Sequence, residues 1–182
     1  MNVLPTRLSG LVLIEPKVFA DPRGFFLESF RADAYAEAGI SADWIQDNHS
    51  RSTMHSLRGL HLQREPGQPK LVRVVRGSVF DVAVDLRSSS PTFGQWEGFE
   101  LDDVRHRQLF IPIGFAHGFC ALSDTVDLVY KVGSYYDPAT EMGVAWNDPD
   151  IGVEWPVAEP LISDRDRRNP TLRELSGSLP PW

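Results

Sequence analysis

The chain is short of several things, and each shortage closes off a class of function. Cysteine occurs once, as Cys120 between Phe119 and Ala121, so no internal disulfide can form and a buried thiol in a reducing compartment is expected. No apolar window approaches the roughly 20 residues that a spanning helix needs. The opening stretch, residues 1–10, lacks a basic start followed by an apolar run, so neither a membrane partner nor a secretory leader is expected, and the expected location is cytoplasmic. Positive charge is in deficit: 18 Lys and Arg stand against 25 Asp and Glu, a net charge of −7. A global field of that sign argues against nucleic acid or an anionic membrane as partner, although a local arginine cluster can still meet an anionic ligand. Internal repeats and low-complexity segments are absent as well.

What is present fits one domain over residues 1–182, with 42% hydrophobic and 24% charged residues, an ordinary globular composition. At this length roughly 70% of the unfolded surface can be buried, enough for a full barrel core. The organising stretch is Leu57 to Arg76, LRGLHLQREPGQPKLVRVVR. Alternation over Leu57–Gln63 and over Lys70–Arg76, broken by Glu65-Pro66-Gly67-Gln68-Pro69, predicts two antiparallel strands joined by a turn. His61 and Gln63 then share a face. Arg58 falls on the opposite parity, so if it joins His61 in a cavity, Gly59 must host a bulge or sharp twist.

Further short strands are expected at Leu11–Glu15 (an edge strand beside Pro16), Val18–Phe19, Phe25–Phe30, Val79–Leu86, Gln95–Leu101, Arg105–Ile111, Gly118–Leu122, Asp127–Val132 and Gly143–Trp146. Asp33 to Gly39 predicts a short helix capped by Asp33 and closed by Gly39. This spacing of strands, with Pro112-Ile113-Gly114-Phe115-Ala116-His117 after the first histidine strand, predicts an all-β, cupin-type jelly-roll barrel with one or two short peripheral helices.

A metal-binding cupin would offer two His and a Glu from its first motif; here Gln63 follows His61, and Lys70 stands where the carboxylate is expected. A protonated amine cannot ligate a cation, so no metal is expected and Lys70 becomes the candidate for stabilising negative charge. Other positions read two ways. Gln46-Asp47-Asn48-His49-Ser50 is either a polar loop or a ligand-contacting strand end, and Tyr130 is either a packed aromatic or a proton donor. Asp81 and Asp85 could face solvent or cavity. The charged stretch Leu161–Asp166 is either a solvated tail or a segment folded back so that one aspartate orients His61.

Taken in order, Asp21-Pro22-Arg23-Gly24-Phe25-Phe26, Gln46 to Ser50, Leu57-Arg58-Gly59-Leu60-His61, Lys70-Leu71-Val72-Arg73, Phe115-Ala116-His117-Gly118-Phe119 and Tyr130-Lys131 with Tyr135-Tyr136 resemble the dTDP-4-dehydrorhamnose 3,5-epimerase family. The likeness runs from near Pro16 to Asp166. It implies a metal-free, cofactor-free jelly-roll homodimer that inverts C3 and C5 of a dTDP-4-keto-6-deoxyhexose on the way to dTDP-L-rhamnose or a related deoxysugar. It also implies roles: His61 the base, Asp166 its partner, Tyr130 the acid on the opposite face, and Lys70 the cation near the keto oxygen. Arg23, Phe26, Glu28, Gln46, Asn48, Arg58, His117 and Tyr136 would contact nucleotide or diphosphate, partly across the dimer interface. Competing readings are an enzyme that inverts one carbon or moves the keto group, and a sugar-nucleotide binding barrel without catalysis.

Overall fold

The computed structural model describes residues 1–175 and 177–182. Strands dominate: β1 (Asn2–Leu4), β2 (Val12–Glu15), β3 (Val18–Asp21), β4 (Gly24–Leu27), β5 (Gln46–Thr53), β6 (Ser56–Gln63), β7 (Lys70–Arg76), β8 (Ser78–Asp85), β9 (Trp96–Asp102), β10 (Gln108–Ile111), β11 (Phe115–Ala121), β12 (Thr125–Val132), β13 (Glu141–Gly143) and β14 (Leu161–Ile162). The helices are α1 (Ala32–Glu37), α2 (Leu172–Leu175) and a 3₁₀ turn at Asp166–Arg168.

The strands build a sandwich with the jelly-roll character that the alternation predicts. One sheet has the order β1-β2-β10-β7-β12-β5; the other runs β13-β6-β11-β8-β9, with β14 added in parallel to β6. Inward residues of both sheets, among them Leu13, Val72, Leu109 and Leu128 from the first and Val79, Leu101, Phe115 and Phe119 from the second, meet in one buried cluster. Such alternation, apolar side in, is what a half-covered antiparallel sheet requires. The outer face of the second sheet is covered by the C-terminal segment, where Met142, Ile151, Leu172 and Leu175 pack on Leu60, Leu62, Val82 and Val84. On the first sheet, α1 and the residues after it place Tyr35 and Ile40 over Ile14, Leu71 and Phe110.

Several expectations need correcting. The two strands of Leu57–Arg76 exist, but they are not a hydrogen-bonded pair: β6 pairs with β11 and β13, whereas β7 pairs with β10 and β12. Alternation fixes each strand's parity but carries no information about which sheet a turn delivers it to. The segment Arg64–Pro69 crosses between sheets, so His61 and Lys70 come from opposite walls. Likewise β2 is no edge strand, being flanked by β1 and β10, and its Leu13 and Ile14 are core residues, not free dimer surface. Helix α1 starts at Ala32 behind Arg31, so Asp33 lies inside the first turn and accepts from the Ala34 N–H instead of capping. The strand expected to reach Phe30 ends at Leu27, and the one expected at Gly143–Trp146 is Glu141–Gly143.

Candidate active site

A cavity of about 650 Å³ is lined by strands of both sheets. Strand parity decides what lines it. On β5, Gln46, Asn48 and Ser50 face in; on β7, Lys70; on β12, Leu128 and Tyr130. From the opposing sheet come His61 and Gln63 on β6, with His117 and Phe119 on β11.

Arg58 joins them through the irregularity its parity demands. His117 pairs with His61, yet Phe119 pairs with Arg58, so two residues of β6, Gly59 and Leu60, oppose one of β11, Gly118, and Arg58 is turned to the same side as Phe119. Gly59 absorbs the slip at φ +133, and a Cβ there would lie 2.5 Å from the Gly118 Cα and 2.9 Å from the His117 carbonyl oxygen. Only glycine fits. The Arg58 guanidinium is then held by the Ser52 hydroxyl at 3.0 Å and the Arg51 carbonyl at 3.1 Å.

The charged tail folds back. Pairing of β14 with β6 brings the 3₁₀ turn under the site, and the buried Asp166 sets Oδ1 2.7 Å from Nε2 of His61. Burial pushes the Asp166 carboxyl up, but the hydrogen bond and charge of His61, with the Gly59 N–H and Ser163, outweigh it and hold the group below its ordinary value. As a carboxylate it accepts the Nε2 proton, which leaves Nδ1 of His61 with the lone pair a base needs.

Lys70 is buried, and its one hydrogen bond runs to the His61 carbonyl oxygen at 3.3 Å. Desolvation lowers its amine to about 8, with the Glu141 and Asp81 charges opposing that fall. Tyr130 is pushed up, chiefly by burial, so its phenol stays protonated. No hydrogen bond fixes its hydroxyl among the described residues, which leaves the group available to a ligand.

Gln63 is committed elsewhere. Its amide donates to the Asp137 carbonyl at 2.6 Å and to the Thr140 hydroxyl at 3.1 Å, and accepts from the Asp137 N–H at 3.0 Å. This latch holds the loop that brings Tyr136 to the mouth, where the Tyr136 N–H meets Gln46 Oε1 at 3.2 Å. Among the described residues no group of three or more His, Cys, Asp or Glu side chains could hold a metal ion.

The cavity thus gathers His61, Lys70, Tyr130, Asp166, Gln46, Asn48, Arg58, His117 and Tyr136. It does not gather Arg23, Phe26 and Glu28. Those sit on or beside the β3–β4 hairpin, a separate two-stranded sheet: Arg23 pairs with Asp21 at 2.6 Å, Glu28 with Arg31 at 3.7 Å, and Phe26 is 68% exposed. Sequence reasoning missed Glu141 and Arg165, an ion pair at the cavity wall that also takes the Tyr136 hydroxyl at 2.7 Å. Arg165 precedes Asp166 and shares its fold-back, the one signal that could have found it. Asp81, left open between solvent and cavity, is buried against His117.

Comparison with known proteins identifies the family. Residues 5–174 match the family described as dTDP-4-dehydrorhamnose 3,5-epimerase. The dTDP-4-dehydrorhamnose 3,5-epimerase of Shigella flexneri is 55% identical over 168 residues, 91% of this chain and 93% of that protein. A dTDP-4-dehydrorhamnose 3-epimerase of Streptomyces niveus is 45% identical, covering 100% of this chain and 90% of its own length. Among solved structures, the dTDP-6-deoxy-D-glucose-3,5-epimerase of Legionella pneumophila in complex with dTDP-4-keto-L-rhamnose superposes with a TM-score of 0.96 at 46% identity, covering 100% of this chain and 98% of the other. With a family match over nearly its whole length and relatives this similar, the chain belongs to the dTDP-4-dehydrorhamnose 3,5-epimerase family.

Proposed function

We propose that the protein is an isomerase that inverts C3 and C5 of a dTDP-4-keto-6-deoxyhexose, in dTDP-L-rhamnose or related deoxysugar biosynthesis, without a metal or cofactor. The observation that carries this reading is the division of labour between the facing sheets: the His61–Asp166 pair on one, Tyr130 and Lys70 on the other, all lining one cavity. A keto group at C4 acidifies the hydrogens at both C3 and C5. Nδ1 of His61 takes such a proton, the C–H electron pair becomes the new C=C bond as the C4 carbonyl π pair moves onto its oxygen, and the Lys70 ammonium stabilises the enolate. Tyr130 then returns a proton to the opposite face and is itself reprotonated from solvent, as His61 gives up the proton it took. Each of the two proton-transfer groups is expected to contribute about 10² to 10⁴ in rate, and the fixed cation about 10² to 10³.

Arg58 and the polar strand Gln46-Asn48 suit the diphosphate and nucleotide, since a guanidinium binds phosphate oxygens in pairs. Arg23, Phe26 and Glu28 lie outside their own cavity, and the hairpin that bears them exposes Phe19, Phe25 and Phe26. This favours a homodimer in which the hairpin serves the partner's site, working in the cytoplasm. Incubation with dTDP-4-keto-6-deoxyglucose in D₂O, followed by NMR of the sugar, tests the reading: deuterium at C3 and C5 with inversion at both supports it, and no exchange at either carbon refutes it. A 3-epimerase that matches the whole chain gives weight to a second reading, inversion at C3 alone. The same spectrum separates the two.

A further inference from the structure

Two aspartates on β8, Asp81 and Asp85, have no exposed surface at all. Asp85 is fully provided for: Arg87 grips both its oxygens, Ser90 and Thr92 donate to Oδ2, and the Arg87 N–H donates to Oδ1. Asp81 is not. Both of its oxygens lie 3.0 Å from a single atom, Nε2 of His117, and it makes no other hydrogen bond among the described residues. A carboxylate has about four acceptor sites, and one N–H donor leaves it under-served out of water. Its place in the register explains its neighbours: Asp81 pairs with Phe119 on β11, so it faces the sandwich interior beside the catalytic cavity.

The positive charge that could balance it is Lys70, the buried ammonium on β7 across the interior, which feels the Glu141 charge and, after it, that of Asp81. Around this amine the packed elements present Asp81 from β8, Glu141 from β13, His61 from β6, His117 from β11 and Tyr130 from β12. Asp166 is engaged with His61, and Glu141 with Arg165 and Tyr136. Asp81 is bonded to His117 alone and shares the interior with Lys70.

We propose that Asp81 is a positioning residue for the reaction: it fixes the His117 ring with Nε2 protonated, leaving Nδ1 for the substrate, and its charge keeps Lys70 in the ammonium form that stabilises the enolate. This rests on the enolate chemistry proposed above. Asp81 itself touches no substrate; it acts through His117 and Lys70, so the active site contains a second His–Asp pair beside His61–Asp166, on adjacent strands, with an electrostatic and not a basic duty.

Asp81→Asn tests it, because the charge is removed at almost unchanged shape; its amide can meet Nε2 as acceptor or donor, so the readout is the limb that Lys70 sets and not the His117 tautomer. The profile of kcat against pH should keep its acid limb and move its alkaline limb about one pH unit toward acid, since loss of a nearby opposite charge disfavours the charged amine by that order. At pH 8 kcat should fall about tenfold or less. An alkaline limb where the native one lies overturns the proposal, as does a loss of kcat equal at every pH, the mark of a merely structural residue. Should the variant fail to fold, ¹⁵N NMR of histidine-labelled native protein decides: His117 must show Nε2 protonated and Nδ1 bare at neutral pH, and ¹³C NMR must show Asp81 ionised. A bare Nε2 or a protonated Asp81 overturns it. If the native protein exchanges no substrate hydrogen, the enolate reading fails by itself, and these NMR signals still report on Asp81 separately.

Discussion

Asp166 lies 105 residues from His61 in the chain and 2.7 Å from it in space, Oδ1 to Nε2. The contact exists because β14 adds in parallel to β6 just upstream, Leu161 beside Ser56 and Ile162 beside Leu57. In the proposed mechanism the C-terminal segment is therefore part of the catalytic machinery, and the tautomer of the proposed base depends on it.

Asp166→Asn should keep the shape and lose the tautomer. An amide nitrogen can donate to Nε2, which moves the imidazole proton to Nδ1 and removes the lone pair. By analogy with orienting aspartates in other base pairs, kcat should fall about 10² to 10⁴-fold with KM little changed. Steady-state kinetics check this, and a raised KM at native kcat would contradict it.

Lys70 should set the alkaline limb of activity. Burial lowers its amine to about 8, so the ammonium is present below that pH and lost above it, and kcat should decline as pH rises through about 8. The Tyr130 phenol, raised by burial, remains an acid throughout that range. For stability the sign is opposite. Between about 8 and the free-lysine value the unfolded chain binds the proton that the folded chain has released, so the protein should gain stability as pH rises through that window. Below it the buried charge costs on the order of a few kcal/mol. Lys70→Met is thus expected to be more stable than the native protein in urea at pH 7 and about 10²-fold slower.

Gly59→Ala should damage both fold and site. A Cβ at φ +133 would press on Gly118 and the His117 carbonyl, and the strand cannot back away without releasing Arg58 from the cavity. A loss of about 2 kcal/mol or more is expected in chemical denaturation, with a raised KM. Native stability in this variant would mean that the bulge is not what turns Arg58 inward.

How legible this was in the sequence varies residue by residue. Parity placed His61 and Gln63 together and made an anomaly at Gly59 the condition for Arg58 to join them, because period two is a local property of the backbone. The same parity could not tell that β6 and β7 join different sheets, since the turn between them encodes direction, not partner. The metal ligands missing at Gln63 and Lys70 were readable as residue types. That Gln63 would spend its amide on the Asp137 loop was not. Asp166 and Tyr130 took their roles from the ordered resemblance alone, their local patterns being compatible with a tail and a core aromatic. Asp81, Glu141 and Arg165 gave no local signal, because burial of a charge is decided by what distant strands bring to it.

The central claim is that base and acid act from facing sheets on opposite faces of the sugar ring, and Tyr130→Phe tests it most directly. Incubated with dTDP-4-keto-6-deoxyglucose in D₂O and followed by NMR, this variant should still exchange ring hydrogen for deuterium, because His61 forms the enolate, while losing most inversion. His61→Asn, run beside it, should lose both exchange and inversion. Normal inversion by Tyr130→Phe, or exchange at the native rate by His61→Asn, would contradict the account and return Tyr130 to the role of a packed aromatic.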